Sequence, residues 1–274
     1  MFFRTHRPAS PLSDFIDYLW LLSDVPPHAQ ERILPSGTIE LVINLRDDEF
    51  RIYDPSRPGQ SSRYSGAMVS GTYSGCFVID AAQHASVIGV HFKPGGAFPF
   101  LGAPAGELAD LHVDLQALWG RPAVELRERL CAAATPEARF RLLAEALAAQ
   151  LFRPLEHHGA VAAALDTFGR TAAGAAVGDV TRRVGLSQRR FIQVFKAEVG
   201  MRPKLFCRVR RFQLALGLAR RTETPDWARL AVDCGYFDQS HLIHDFRTFS
   251  GLSPTDYLSQ RSERVKENHV PLVA

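Results

Sequence analysis

The first hundred residues carry their apolar side chains in short runs rich in β-branched and aromatic types. Residues 16–22 (IDYLWLL), 39–45 (IELVINL), 50–54 (FRIYD), 75–80 (GCFVID) and 86–92 (SVIGVHF) are separated by Pro, Gly, Ser and Asp. Runs of this length between turn residues predict strands. Five of them predict a small antiparallel barrel or sandwich. The polar stretch 54–63 (DPSRPGQSSR) predicts a mobile loop. After KPGGAFPF the period changes. Residues 101–155 are rich in Ala, Leu, Glu and Arg at helical spacing, enough for two or three helices. RPLEHHG (153–159) reads as a junction, with His157 and His158 as linker. From 160 to 260 the pattern is helical throughout, broken by Gly, Ser and Pro.

Within that last part the chain repeats itself. FKAEVGMRPKLF (195–206) and FRTFSGLSPTDY (246–257) align at a constant offset: Phe195 with Phe246, Gly200 with Gly251, Pro203 with Pro254 and Phe206 with Tyr257. Each copy follows a glycine turn and a capping residue, Ser187 or Asp238, whose side-chain oxygen can accept from free backbone N–H groups. Helix, glycine turn, capped helix is the helix-turn-helix unit. The two units are expected at about 177–199 and 226–250. In the second helix of each, Phe191, Val194, Phe195 and Val199, or Leu242, Phe246 and Phe249, form the buried stripe. Arg189, Gln193 and Lys196, or Ser240, His244 and Arg247, fall on the opposite face. Gln188, Ile192, Gln239 and Ile243 lie on the flanks. Arg, Gln and Ser can read base edges, and Lys and Arg can hold phosphates. One polar helix face means little, because any solvated helix has one. Two matched copies point to double-stranded DNA. Residues 203–221 between them predict a single rod about 27 Å long, with Leu205, Val209, Phe212, Leu216 and Ala219 inward and Lys204, Arg208, Arg210 and Arg211 outward. That length suits successive major grooves, about 34 Å apart.

Charge sharpens this picture. The net charge is only +3 over 274 residues. From residue 160 onward there are 18 Lys/Arg against 11 Asp/Glu, or +7; the rest has 14 against 18, or −4. A basic C-terminal part fits a polyanionic partner. Cys76, Cys131, Cys207 and Cys234 form no CxxC pair and read as small buried apolar residues. No apolar run reaches membrane-span length and residues 1–11 lack a secretory stretch, so the expectation is a cytoplasmic protein with no membrane partner.

Residues 231–258 (AVDCGYFDQSHLIHDFRTFSGLSPTDYL) resemble the C-terminal signature of AraC/XylS-type transcription regulators. The matching positions are Ala231, Gly235, Tyr236, Ser240, His241, Phe246, Arg247, Gly251, Ser253, Pro254 and Tyr257. Gly185, Ser187, Phe195, Lys196, Gly200, Pro203 and Arg211 in the first unit are similar too. The resemblance implies a seven-helix domain on two major grooves. It implies base reading by Arg189, Ile192, Gln193, Gln239, Ser240 and His244; the basic side chains Lys196, Arg211 and Arg247 are expected at phosphates. Ile192 is apolar where hydrogen-bonding residues occur, which suits a thymine methyl. His244 stands where Arg is common, which implies a weaker hold by the second unit. RNA polymerase and a second copy of the chain are further candidate partners.

The front half resembles a sensor-type region found before this domain in some family members, through residues 32–45, 87–96 and 114–120. A small-molecule pocket and a self-filled dimerisation module are both open. Glu40, Asn44 and His91 are the candidate pocket residues. No His-x-His cluster suggests a metal and no cofactor is implied. KPGG lacks the Lys-Ser/Thr of a phosphate loop, and no Gly-x-Ser-x-Gly elbow appears. A DNA-repair methyl acceptor would need a cysteine cluster, whereas Cys76 and Cys131 stand far apart. A helical protein-interaction adaptor would lack salt-sensitive DNA affinity. The expectation is therefore an α+β, non-enzymatic chain: a β-rich barrel or sandwich (1–100), a helical linker (101–157) and an all-α double helix-turn-helix domain (158–274).

Overall fold

A computed structural model of the chain describes residues 2–23, 30–57, 59–170, 177–260 and 268–272. Ten strands come first: β1 (Phe2–His6), β2 (Ile16–Ser23), β3 (Gln30–Ile33), β4 (Glu40–Asn44), β5 (Glu49–Tyr53), β6 (Ser61–Ser65), β7 (Ala67–Ser70), β8 (Phe77–Asp80), β9 (Ser86–Phe92) and β10 (His112–Asp114). Three helices follow: α1 (Leu115–Trp119), α2 (Arg121–Ala132) and α3 (Pro136–Ala149). The strands form two antiparallel sheets, in the orders β1-β2-β9-β4-β7-β10 and β3-β8-β5-β6. The sheets face each other as a sandwich rather than closing into a barrel.

Period-two alternation explains what each face does. Leu19, Leu21, Leu41, Ile43, Ile88 and Val90 point from the first sheet onto Leu126, Leu130, Phe140, Leu143 and Leu147 of α2 and α3. Their neighbours Trp20, Val42 and Val87 point the other way, onto Phe50, Ile52 and Ile79 of the second sheet. The first sheet is thus buried on both faces, and its central strands β2, β4 and β9 read as nearly unbroken apolar runs for that reason. The helices expected as a linker are instead the third layer of this domain. The expected loop at 54–63 contributes its end to β6, paired with β5 from Tyr53↔Ser61 to Glu49↔Ser65; Pro58 within it lies outside the described residues.

Seven helices follow among the described residues: α4 (Gly159–Arg170), α5 (Val177–Val184), α6 (Gln188–Val199), α7 (Pro203–Ala219), α8 (Trp227–Asp233), α9 (Gln239–Ser250) and α10 (Pro254–Gln260). Their core is aromatic. Phe195 contacts the rings of Phe168, Phe191 and Phe206; Phe246 contacts those of Phe212, Trp227 and Tyr257. Ser253 and Asp256 cap α10 reciprocally. The Asp256 N–H meets Ser253 Oγ at 3.1 Å and the Ser253 N–H meets Asp256 Oδ2 at 3.3 Å, a capping box with Asp in the acidic position. The Ser253 hydroxyl, donating to Asp256 Oδ2 at 2.6 Å, and after it the Ser253 N–H hold the Asp256 carboxyl below the usual carboxylate range.

The chain then turns back. β11 (His269–Pro271) pairs with β3 at the edge of the second sheet, and Val270 is fully buried in the helical core.

Of the four cysteines, Cys234 is buried, Cys76 and Cys207 are half-buried and Cys131 is exposed, contrary to the uniform burial expected. Burial pushes the Cys207 and Cys234 thiols up to about 11. At pH 8 both stay protonated and poorly nucleophilic. Native protein treated with a maleimide at pH 8 will label fastest at Cys131, with Cys234 reacting only after denaturation. Peptide mapping of the labelled sites checks this; fast labelling of Cys234 would contradict it.

Candidate nucleic-acid interface

Each reading helix is built by the same local rules. Ser187 Oγ accepts from the Arg190 N–H at 3.3 Å to start α6, and Asp238 Oδ1 accepts from the His241 N–H at 2.8 Å to start α9. Gly200 (φ 95) and Gly251 (φ 71) take the left-handed conformation that ends them. Of the predicted stripes, Phe191, Phe195, Leu242, Phe246 and Phe249 are at 0 % exposure and Val199 at 1 %, whereas Val194 is only half-buried. Arg189, Gln193, Gln239, Ser240 and His244 are exposed, and Ile192 is half-buried on its flank. Lys196 and Arg247, expected at phosphates, are exposed as well.

Phe237 escaped the sequence reading. It sits in the turn before α9 at 90 % exposure. A large apolar side chain so exposed beside a groove reader is suited to a sugar or a thymine methyl. The signal was the extra residue in the second turn.

The connector α7 has 17 residues, about 25 Å. Val209, Phe212, Leu216 and Ala219 are buried along it as expected, whereas Leu205 is only half-buried. Two of its arginines were misplaced by periodicity. Arg208 reaches the fully buried Asp245 of α9, with Nη2 donating to Oδ1 at 2.6 Å and the guanidinium 5.1 Å from the Phe249 ring centroid. Arg211, expected at a phosphate, donates through Nη1 to the Gly235 carbonyl at 3.2 Å and lies over the Tyr236 ring. Both point inward because α9 brings a carboxylate and a turn carbonyl against α7. They tie the rod to the second unit. Burial of Tyr236 pushes its hydroxyl well above the ordinary phenol range.

In the sandwich, the cross-strand register aligns Tyr18, His91, Glu40, Ser70 and His112 in one row over β2, β9, β4, β7 and β10. His91 Nδ1 meets Glu40 Oε1 at 2.6 Å, and the Tyr18 ring stacks on His91 at 4.9 Å. His112 is bonded to the Tyr73 hydroxyl, and Ser70 Oγ lies 3.4 Å from its Nε2. Asn44 is no part of this row's chemistry. Fully buried, it gives Nδ2 to the Gln83 carbonyl, and its Oδ1 accepts from the Arg46 and Asp47 N–H groups. It shapes a turn. Among the described residues no group of three or more His, Cys, Asp or Glu could hold a metal, and no helix is long and apolar enough to cross a membrane.

A family model described as a helix-turn-helix domain matches residues 180–260, covering both capped readers and the rod between them. The C-terminal domain is of the AraC/XylS type. Residues 4–114 match a second model, a domain of unknown function (DUF6597). Similar solved structures include a probable AraC family transcriptional regulator from Rhodopseudomonas palustris, 24% identical over 37% of this chain and 96% of that one, TM-score 0.33. An AraC-type DNA-binding regulator from Chromobacterium violaceum is 20% identical over 39% and 95%, TM-score 0.35. ToxT from Vibrio cholerae is 10% identical over 88% and 97%, TM-score 0.46. No curated protein matches the chain in sequence. The assignment to the AraC/XylS type rests on the residue motifs and the helix-turn-helix match.

Proposed function

We propose that this DNA-binding regulator reads two successive major grooves of one duplex, with α6 in one and α9 in the next, and that its β-rich domain answers to a small-molecule effector. The single observation behind the first part is the duplication: two capped, glycine-terminated readers with exposed polar faces on one stiff connector. Arg189, Ile192 and Gln193 read one half-site, and Gln239, Ser240 and His244 the other. Lys196 and Arg247 hold phosphates. Support for the second part comes from the row Tyr18–His91–Glu40–Ser70–His112, whose hydroxyl, imidazole and carboxylate groups line up between two sheets. Such a row suits a small ligand rich in hydroxyl or amine groups.

Selection of bound fragments from random duplex DNA with the purified chain tests the first part; failure to enrich any sequence would refute it. On the selected site, Arg189→Ala and Gln193→Ala will each weaken binding by about 1–3 kcal/mol and relax base preference within one half-site only. Equal losses on specific and random DNA would contradict base reading. Lys196→Ala and Arg247→Ala will instead weaken all sequences alike and reduce the salt slope by about one unit each, measured by titration at several salt concentrations. An unchanged slope would remove them from the phosphates.

A further inference from the structure

The connection between β7 and β8, residues 71–76, touches the ends of both reading helices. Thr72, 1 % exposed, lies against Gly200 at the end of α6; a Cβ on Gly200 would come within 2.8 Å of Thr72 Oγ1 and 2.9 Å of its Cγ2. Four residues on, Cys76 Sγ donates to the Ser250 carbonyl at the end of α9, at 3.4 Å. Gly200 and Ser250 are nearly equivalent places in the sequence repeat. One loop of the β-rich domain therefore spans the two C-terminal helix ends.

That loop is itself fixed. Asp110, at φ 57, donates its N–H to the Thr72 carbonyl at 2.9 Å. Its Oδ1 accepts from the Ser74 N–H at 2.6 Å and from Ser74 Oγ at 2.9 Å. The Gly71 N–H meets the Leu111 carbonyl at 2.9 Å, and any side chain on Gly71 would fall into the Leu108 carbonyl. Beside the loop, the turn Ala105–Glu107 packs on α6 so closely that a Cβ on Gly106 would sit 2.8 Å from the Lys196 carbonyl. Around the other side of α6, buried Glu198 pairs with His157 and accepts from the His158 N–H at 3.2 Å, so the two histidines expected as plain linker are part of the joint.

All these contacts gather at the C-terminal ends of α6 and α9. Arg189, Gln239 and Ser240 stand in the first turns. Those three base readers stand clear of the β-rich domain, whereas Lys196, in the last turn of α6, carries the Ala105–Glu107 turn against its own stem.

We propose that the 71–76 loop, pinned by Asp110, is a brace that sets the placement of α6 relative to α9, and so the half-site spacing the protein accepts. A single connecting helix leaves each unit free to twist at its joints; a second tie across the helix ends removes that freedom. The buried Thr72 hydroxyl makes no hydrogen bond among the described residues, so Thr72 acts by shape. Asp110 acts through the loop and is a positioning residue. The inference rests on the two-groove reading above.

The test uses the full chain and its selected site, with the two half-sites moved closer or further apart by one or two base pairs. The wild type will lose about tenfold in affinity per displaced base pair, the size of a mismatched pair. Asp110→Gly keeps the positive φ open and deletes the carboxylate; Thr72→Ala deletes the wedge. Both will bind the original site but lose less than about threefold on the displaced ones. Thr72→Val, with the same shape, and Asp110→Asn, which retains an oxygen acceptor, will keep the wild-type pattern. Wild-type spacing discrimination in both Asp110→Gly and Thr72→Ala overturns the brace; should Asp110→Gly not fold, Thr72→Ala decides alone. A wild type that binds one sequence but ignores spacing also overturns it while leaving the DNA-binding reading intact. A wild type with no sequence preference sinks both.

Discussion

Arg208→Ala will destabilise the protein by about 3–5 kcal/mol, the cost of stranding a buried charge. Asp245 is fully buried on α9, and Arg208 Nε and Nη2 both donate to its Oδ1, at 3.2 and 2.6 Å. Its other oxygen makes no hydrogen bond among the described residues, so removing the guanidinium leaves a fully buried carboxylate without its charged hydrogen-bond partner. The pair itself adds less than its rupture subtracts, because both groups were desolvated to form it. Arg208→Met combined with Asp245→Leu should therefore recover most of the loss, and that recovery separates a stranded charge from simple lost packing. Urea unfolding of the wild type, the single variant and the double variant checks it. A single variant with an unchanged midpoint would show that the Asp245 carboxylate is not stranded.

Phe246→Ala will cost a similar amount, about 3–5 kcal/mol, through a cavity at the centre of the second unit. Phe246 is at 0 % exposure, and its ring lies 5.1 Å from Phe212, 5.8 Å from Trp227 and 5.9 Å from Tyr257. Those partners come from α7, α8 and α10, so one truncation loosens every helix that holds α9. Contacts to the second half-site should vanish first. Footprinting would then show protection retained under α6 and lost under α9. Equal retention under both helices would mean that α9 is held by something other than this aromatic cluster.

The helical domain was largely legible in the sequence because its rules are local. A capping side chain, a left-handed glycine and a 3.6-residue stripe each act within a dozen residues, and all three occur twice. The strands around Ile16, Glu40, Glu49, Phe77 and Ser86 were legible for the same reason. What failed was everything set by distant partners. Arg208 and Arg211 lie on a face that periodicity calls outward, and only the arrival of α9 and its turn makes that face inward. Phe2–His6, Gln30–Ile33 and Ser61–Ser65 are polar or mixed strands at or near sheet edges, where one exposed side removes the apolar signature. α2 and α3 read correctly as helices, but their amphipathic faces did not say what they cover. Of the candidate effector residues, Glu40 and His91 are joined across adjacent strands, while Asn44 is consumed by its own turn.

The pairing of β11 with β3 has a temporal side. β11 is synthesised after every other described element, whereas β3 emerges among the first. Until the whole helical domain has left the ribosome, the β3 edge has no neighbour on that side, and an open edge recruits other extended chains. Nascent chains of this protein therefore pass through a period in which the β3 edge is open to neighbours on the same polysome, and β11, the last described strand to be made, is the one that covers it.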